Sequence, residues 1–274
     1  MKRPLCVFVL VLMALVFTLG VGQKRWSDGA SAEGLDVEAK VRMHIEALKN
    51  DKSITMRAGA AKALGDVGHD AADGIPALAE ALLNDGHSLV RIHAAKALGK
   101  IDPSTKEGIH ALSEALWRDK SAEVCKNAIW ALSQVGDDSE TVVKALAAAL
   151  EDKDPEVCAG AAQALGRIGS YSKLAKYHLA KTLLDSESVL VRKNAALALG
   201  EMGPNAWNTV SILAKALEDK DSDVRLCAAD ALSKIGREAL DAASALVRAT
   251  KDRDARVRKK AREALRNLAK NRYR

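Results

Sequence analysis

A leucine returns every 33 or 34 residues along most of this chain, at Leu64, Leu98, Leu132, Leu165, Leu199, Leu232 and Leu265. A fixed period of that length marks a stacked repeat, because so short a unit cannot bury its apolar face alone and gains a core only from its neighbours. Such a chain folds into a rod, and its functional groups must be sought on extended surfaces before any single enclosed cleft.

The same phrase surrounds each leucine, clearest from Val90 to Ile101 and from Val224 to Ile235. In the first, Val90, Ala94, Ala97, Leu98 and Ile101 fall on one stripe of a 3.6-residue helix. The alanines in the stripe let neighbouring helices approach to about 8–10 Å. A second, shorter amphipathic segment precedes each phrase, as at Ile75 to Leu83, Ile109 to Trp117 and Val210 to Leu217. The fold expected is all-α: a right-handed α-α superhelix of about seven two-helix repeats, at 35–68, 70–102, 103–136, 137–169, 170–203, 204–236 and 237–271.

The turns carry their own signals. An aspartate opens the turn inside each unit (Asp51, Asp85, Asp119, Asp152, Asp185, Asp219, Asp252). Two residues on, Ser53, Ser121, Asp154, Asp221 and Asp254 are expected to cap the second helix. Gly65, Gly99, Gly166 and Gly200 read as helix-end punctuation, with Gly68, Gly136, Gly169, Gly203 and Gly236 in the turns between units. Trp117 reads as core and Trp207 as a cover on the preceding turn.

Over 35–271 the recurrent Val-Arg-x-x-Ala-Ala-x-Ala-Leu-Gly-x-Ile-Gly phrase resembles the HEAT-like repeats of the phycobilin (PBS) lyase type, which have an armadillo-type helical fold. The resemblance implies a ladder in which the turn aspartate and the arginine after the valine join adjacent units. Arg57, Arg91, Arg192, Arg225 and Arg258 occupy that arginine column, whereas Cys125 and Cys158 replace it in units three and four. It also implies, as an alternative function, a lyase-like enzyme or enzyme subunit.

Ahead of the repeats, Lys2 and Arg3 precede an apolar run from Leu5 to Leu19 that ends in Gly20, Val21 and Gly22. This pattern is a signal peptide over 1–22, or a signal anchor, since Leu5 to Gly22 reaches the short end of a membrane span. A polar linker follows at 23–34. Either reading places the repeats outside the cytoplasm, periplasmic or extracellular, with residues 5–22 as the tether if the segment is uncleaved. Cys125, Cys158 and Cys227 would then remain, an odd count, and the first two sit in equivalent positions on helices too far apart to bridge.

The net charge of +6 is a terminal property: from Lys251 to Arg274 there are eleven Lys or Arg against three acids. The last helix is expected to be a polar cap, with Arg258, Lys259, Lys260, Arg262 and Arg266 as an alternative contact for an anionic envelope polymer or surface. Nucleic acid is not expected as a partner, because aromatic residues do not interleave with these cations. Six histidines are present, and none precedes a glutamate. The His-Glu pairs with which deoxyhypusine hydroxylases hold two irons on similar repeats are therefore missing, and no metal, cofactor, small-molecule substrate or catalytic residue is assigned. The functional expectation is a non-enzymatic scaffold that takes a protein partner on the concave side, where the second helices lie. The proposed anchor strip is Trp130 with Lys96, Lys126, Gln134, Gln163, Arg167 and Leu197.

Overall fold

The computed structural model describes residues 36–135, 139–168 and 173–270; the signal or anchor segment, the linker, Gly136 and Gly169 lie outside them. Among the described residues there are fourteen α-helices in seven antiparallel pairs and no strand. The first helices are α1 (Val37–Asn50), α3 (Ile75–Asn84), α5 (Lys106–Arg118), α7 (Glu140–Ala149), α9 (Lys173–Asp185), α11 (Val210–Ala216) and α13 (Ala243–Ala249). The second helices are α2 (Ile54–Val67), α4 (Ser88–Ile101), α6 (Ala122–Leu132), α8 (Pro155–Ile168), α10 (Val189–Glu201), α12 (Ser222–Ile235) and α14 (Ala255–Lys270). Each second helix packs on the next, and one hydrophobic cluster runs through the stack.

Leu64, Leu98, Leu132, Leu165, Leu199 and Leu232 are fully buried, while Leu265 in the seventh unit is only partly covered. Among the described residues no helix is long and apolar enough to cross a membrane.

Four features differ from the expectations of the sequence, three of them local to single residues. The glycines at the ends of the leucine phrase are spacers and not caps. A methyl on Gly65, Gly166 or Gly200 would stand 2.8, 2.7 or 2.8 Å from the Cα of Ala97, Ala198 or Ala231 in the next unit, so these positions set how closely second helices approach. The conformational role falls to Gly68, Gly203 and Gly236, with φ of 74°, 56° and 73°, each opening a 3-10 turn that leads into the next unit. Ser53 and Ser121 make no side-chain cap; Asp154, Asp221 and Asp254 do, accepting the amides of Glu156, Asp223 and Arg256. Trp117, expected in the core, is 69% exposed, because α5 turns that face outward; Trp207 is also exposed.

The units are joined by a ladder. Arg91 Nε and Nη2 donate to both oxygens of Asp119 in the next unit, at 2.6 and 3.0 Å, while Nη1 donates to the carbonyl of Asp85 in its own turn at 2.9 Å. Arg57 to Asp85, Arg192 to Asp219 and Arg225 to Asp252 repeat the bidentate grip. Each receiving aspartate also accepts an amide two residues ahead in its own turn, as from His87 to Asp85. One side chain thus shapes the turn inside a unit and bolts that unit to its predecessor.

In unit five the ladder position is not the expected Asp185. Arg192 donates to the carbonyl of Ser186, which stands where Asp85 stands for Arg91. Helix α9 runs through Asp185, so the aspartate falls one position early and a serine occupies the column. Cys125 and Cys158 point their thiols at the carbonyls of Asp119 and Asp152, the same turn acceptors the arginines use, but reach nothing in the next unit. Between units three and four the aspartate, Asp152, remains without its arginine; between units four and five both partners are replaced, by Cys158 and Ser186.

Candidate functional site

The proposed strip lies along the exposed edges of the second helices, and its centre is built by two substitutions in the repeat. Unit three carries Ser133 where its neighbours carry the spacer glycine. The Ser133 hydroxyl folds back to donate to the Trp130 carbonyl at 2.7 Å, and Gln134 Nε2 donates to the same oxygen at 3.3 Å. Helix α6 ends at Leu132, which places Trp130 in a last turn tied by side chains.

Trp130 is 41% exposed, and its ring lies against the preceding unit. A methyl on Gly99 would come within 2.7 Å of Trp130 Cζ3, so the bare backbone of Gly99 forms the seat for the indole. Lys96 and Lys100, one turn apart on α4, flank that glycine. Lys100 is bridged to Asp66 at 2.8 Å, whereas Lys96 makes no ion pair among the described residues. His93 is part-buried in the same patch; burial, followed by the nearby Lys96 and Lys62, holds its pKa below the usual imidazole value. The patch is a half-covered aromatic ring beside a local excess of cations.

The other strip residues divide into engaged and unengaged. Lys126 bridges Glu123 and Glu156, each at 3.1 Å, and Gln163 donates to Asn194 at 2.6 Å, so both serve as ties between or within units. Leu197 is partly buried against the core cluster. Arg167 is exposed and makes no ion pair among the described residues. Trp130, Lys96 and the bridged Lys100 thus come together, while Gln163, Arg167 and Leu197 belong to the next two units. In the C-terminal group, Arg258 is spent on the carbonyls of Asp252 and Arg253, and Lys260 on Asp230 and Glu263. Lys259, Arg262 and Arg266 face water.

The thiols are chemically quiet. Burial, reinforced by Asp152 and Asp119, pushes Cys125 up to about 11, and burial does the same for Cys227 and raises Cys158. A nucleophile needs the thiolate, which these settings suppress. Among the described residues no group of His, Cys, Asp and Glu side chains is arranged to hold a metal ion.

Among the described residues, the stack of seven helix pairs defines an α-solenoid of the repeat-scaffold class. The family model for HEAT repeats matches residues 41–133, 109–183 and 177–266. The chain belongs to the HEAT repeat family. No curated protein sequence matches it. Among solved structures, an engineered protein is 27% identical over 84% of this chain and 68% of its own, with a TM-score of 0.53. Kap121p bound to Nup53p is 14% identical, covering 84% of this chain and 29% of its own, at a TM-score of 0.53, a likeness of fold alone. The complex of CpcE and CpcF of phycocyanin lyase from Nostoc sp. PCC7120 is 20% identical over 90% of this chain and 99% of its own, at a TM-score of 0.48.

Proposed function

We propose that this protein is a non-enzymatic scaffold whose right-handed superhelix presents its second helices on the concave side to an extended, acidic segment of a protein partner. The observation that carries the reading is the Trp130 indole, half exposed on its Gly99 seat beside an unpaired Lys96. Trp and Arg dominate the energetic anchors of interfaces, and a ring already packed on one side loses little freedom when a partner covers the other. The neighbouring cations Lys62, Lys96 and Lys100 favour an acidic segment and would speed its encounter. Kap121p, whose fold is similar, is seen bound to Nup53p, so a solenoid of this shape can hold another protein. The basic, apolar start from Lys2 to Gly22 supports export, with the repeats secreted, periplasmic or held at the membrane.

The test is binding of labelled peptides rich in Asp and Glu with one aromatic residue, compared with the same peptides carrying Lys and Arg. The acidic series binds more tightly, and Trp130→Ala weakens it by about 30-fold, the loss expected for an anchor worth about 2 kcal/mol, in a variant that stays folded but melts somewhat lower for want of the packing on Gly99. Equal binding of the two series, or full affinity in Trp130→Ala, refutes the proposal. Cell fractionation and the N-terminal mass of the purified chain decide export and cleavage.

A further inference from the structure

Away from the second-helix strip, a groove of about 410 Å³ opens between the first helices of units five and six, α9 and α11. That volume lies within the roughly 300–1,000 Å³ typical of small-molecule sites. One of its lining residues is out of place for this fold. Lys176 is only 7% exposed. Counted back from the turn residue whose carbonyl meets each unit's own arginine or cysteine (Asp51, Asp85, Asp119, Ser186), the position Lys176 fills is Val41, Ile75 and Ile109 in units one to three. An ammonium stands where the repeat asks for an aliphatic side chain.

The fold gives that ammonium little in return. Its Nζ donates to the Asn205 carbonyl of the next unit at 2.9 Å, and no carboxylate among the described residues pairs with it. An ammonium carries three donors, so two remain beyond that bond, on a residue that lines the groove. Lys173, on the same groove, adds to the positive potential; Lys181 is occupied with Glu151 at 3.2 Å. Tyr177, Leu184 and Ile212 supply an apolar wall, and Asp185 also borders the groove.

We propose that this groove binds a small amphipathic organic anion, with its acidic head on Lys176 and Lys173 and its apolar body on Tyr177, Leu184 and Ile212. The ligand supplies the counter-charge that the fold withholds from a buried cation, and burying such a charge without one is costly. Asp185 restricts the ligand to a single acidic end. The site is separate from the Trp130 strip and does not depend on it.

The test titrates the full chain with 1-anilinonaphthalene-8-sulfonate, an aromatic anion, and with N-phenyl-1-naphthylamine, the same body without the charge. The expected result is one saturable site for the anion and at least about tenfold weaker binding of the neutral probe. Lys176→Met should weaken the anion about tenfold or more while melting at or above the wild-type temperature, as other units carry aliphatic residues there. Lys176→Arg keeps charge and donors and should hold binding within about threefold, which guards against a misfolded Met variant; Trp130→Ala leaves it unchanged. Absence of saturable binding, equal binding of the neutral probe, or wild-type affinity in Lys176→Met overturns the proposal.

Discussion

Single residues in this chain matter mostly by what they leave room for. Gly59 and Gly166 both lie inside second helices, yet a methyl on Gly59 meets nothing within 4 Å and one on Gly166 meets Ala198 Cα at 2.7 Å. Gly59→Ala should therefore stabilise by about 0.5–1 kcal/mol through helix propensity. Gly166→Ala should destabilise by about 1–3 kcal/mol, because the overpacked backbone outweighs that gain. Urea unfolding midpoints of the two variants should move in opposite directions; a common direction would contradict the spacer role. The sequence displays these glycines in plain view but not their purpose, since a glycine near a helix end reads equally as a cap. Only the position of the alanine in the next unit decides, and that is a tertiary fact. Trp130 was legible as a break in a polar column, whereas its seat on Gly99 was not, because the two lie in different units.

At the scale of the element, the repeat phrase made the helix pairs and the arginine column readable directly. It misled at one turn: Asp185 looks like the fifth ladder aspartate but is the last residue of α9, one position before the column, and only the bond from Arg192 to the Ser186 carbonyl reveals the shift. The corrected register yields an asymmetric prediction. Cys125→Arg should stabilise by about 1 kcal/mol, because Asp152 already stands in the column with no arginine opposite it. Cys158→Arg should destabilise, because its guanidinium would face Ser186. Adding Ser186→Asp to Cys158→Arg should recover stability, with a coupling of about 1–3 kcal/mol in a double-mutant cycle. If all three variants behave alike, the ladder register is wrong. The same two interfaces should exchange amide hydrogens faster than those around units five to seven, where the bolts are intact.

The whole molecule should respond to acid in two stages. Burial keeps His44 and His93 below the ordinary histidine value of 6.5, so the unfolded chain binds these protons first and stability begins to fall as pH drops below 6.5. The ladder follows. Burial raises Asp85 and Asp219, but bonds from Arg57 and Arg192 and from turn amides outweigh it; Asp252 is lowered first by Arg225. All three end below the ordinary 3.8, so their contribution is intact above that value and is lost as pH falls through the lower native values. Urea midpoints should decline gently as pH drops below 6.5 and more steeply below about 4, and removing Arg225 should flatten the second stage.

The turns opened by Gly203 and Gly236 have a consequence for the history of the chain. Both lead through the same 3-10 segment into a short first helix, and the ladder bonds on either side are interchangeable: Arg192 reaches Asp219 as Arg225 reaches Asp252. Excising residues 203–235 would join Met202 to Gly236 and hand Arg192 the carboxylate of Asp252, keeping the ladder whole while Lys260 gives up its bridge to Asp230. A crossover between two like turns in this C-terminal region would therefore add or drop one unit without breaking the ladder. Across units three to five, where the bolts differ from junction to junction, the same event would leave a mismatched pair.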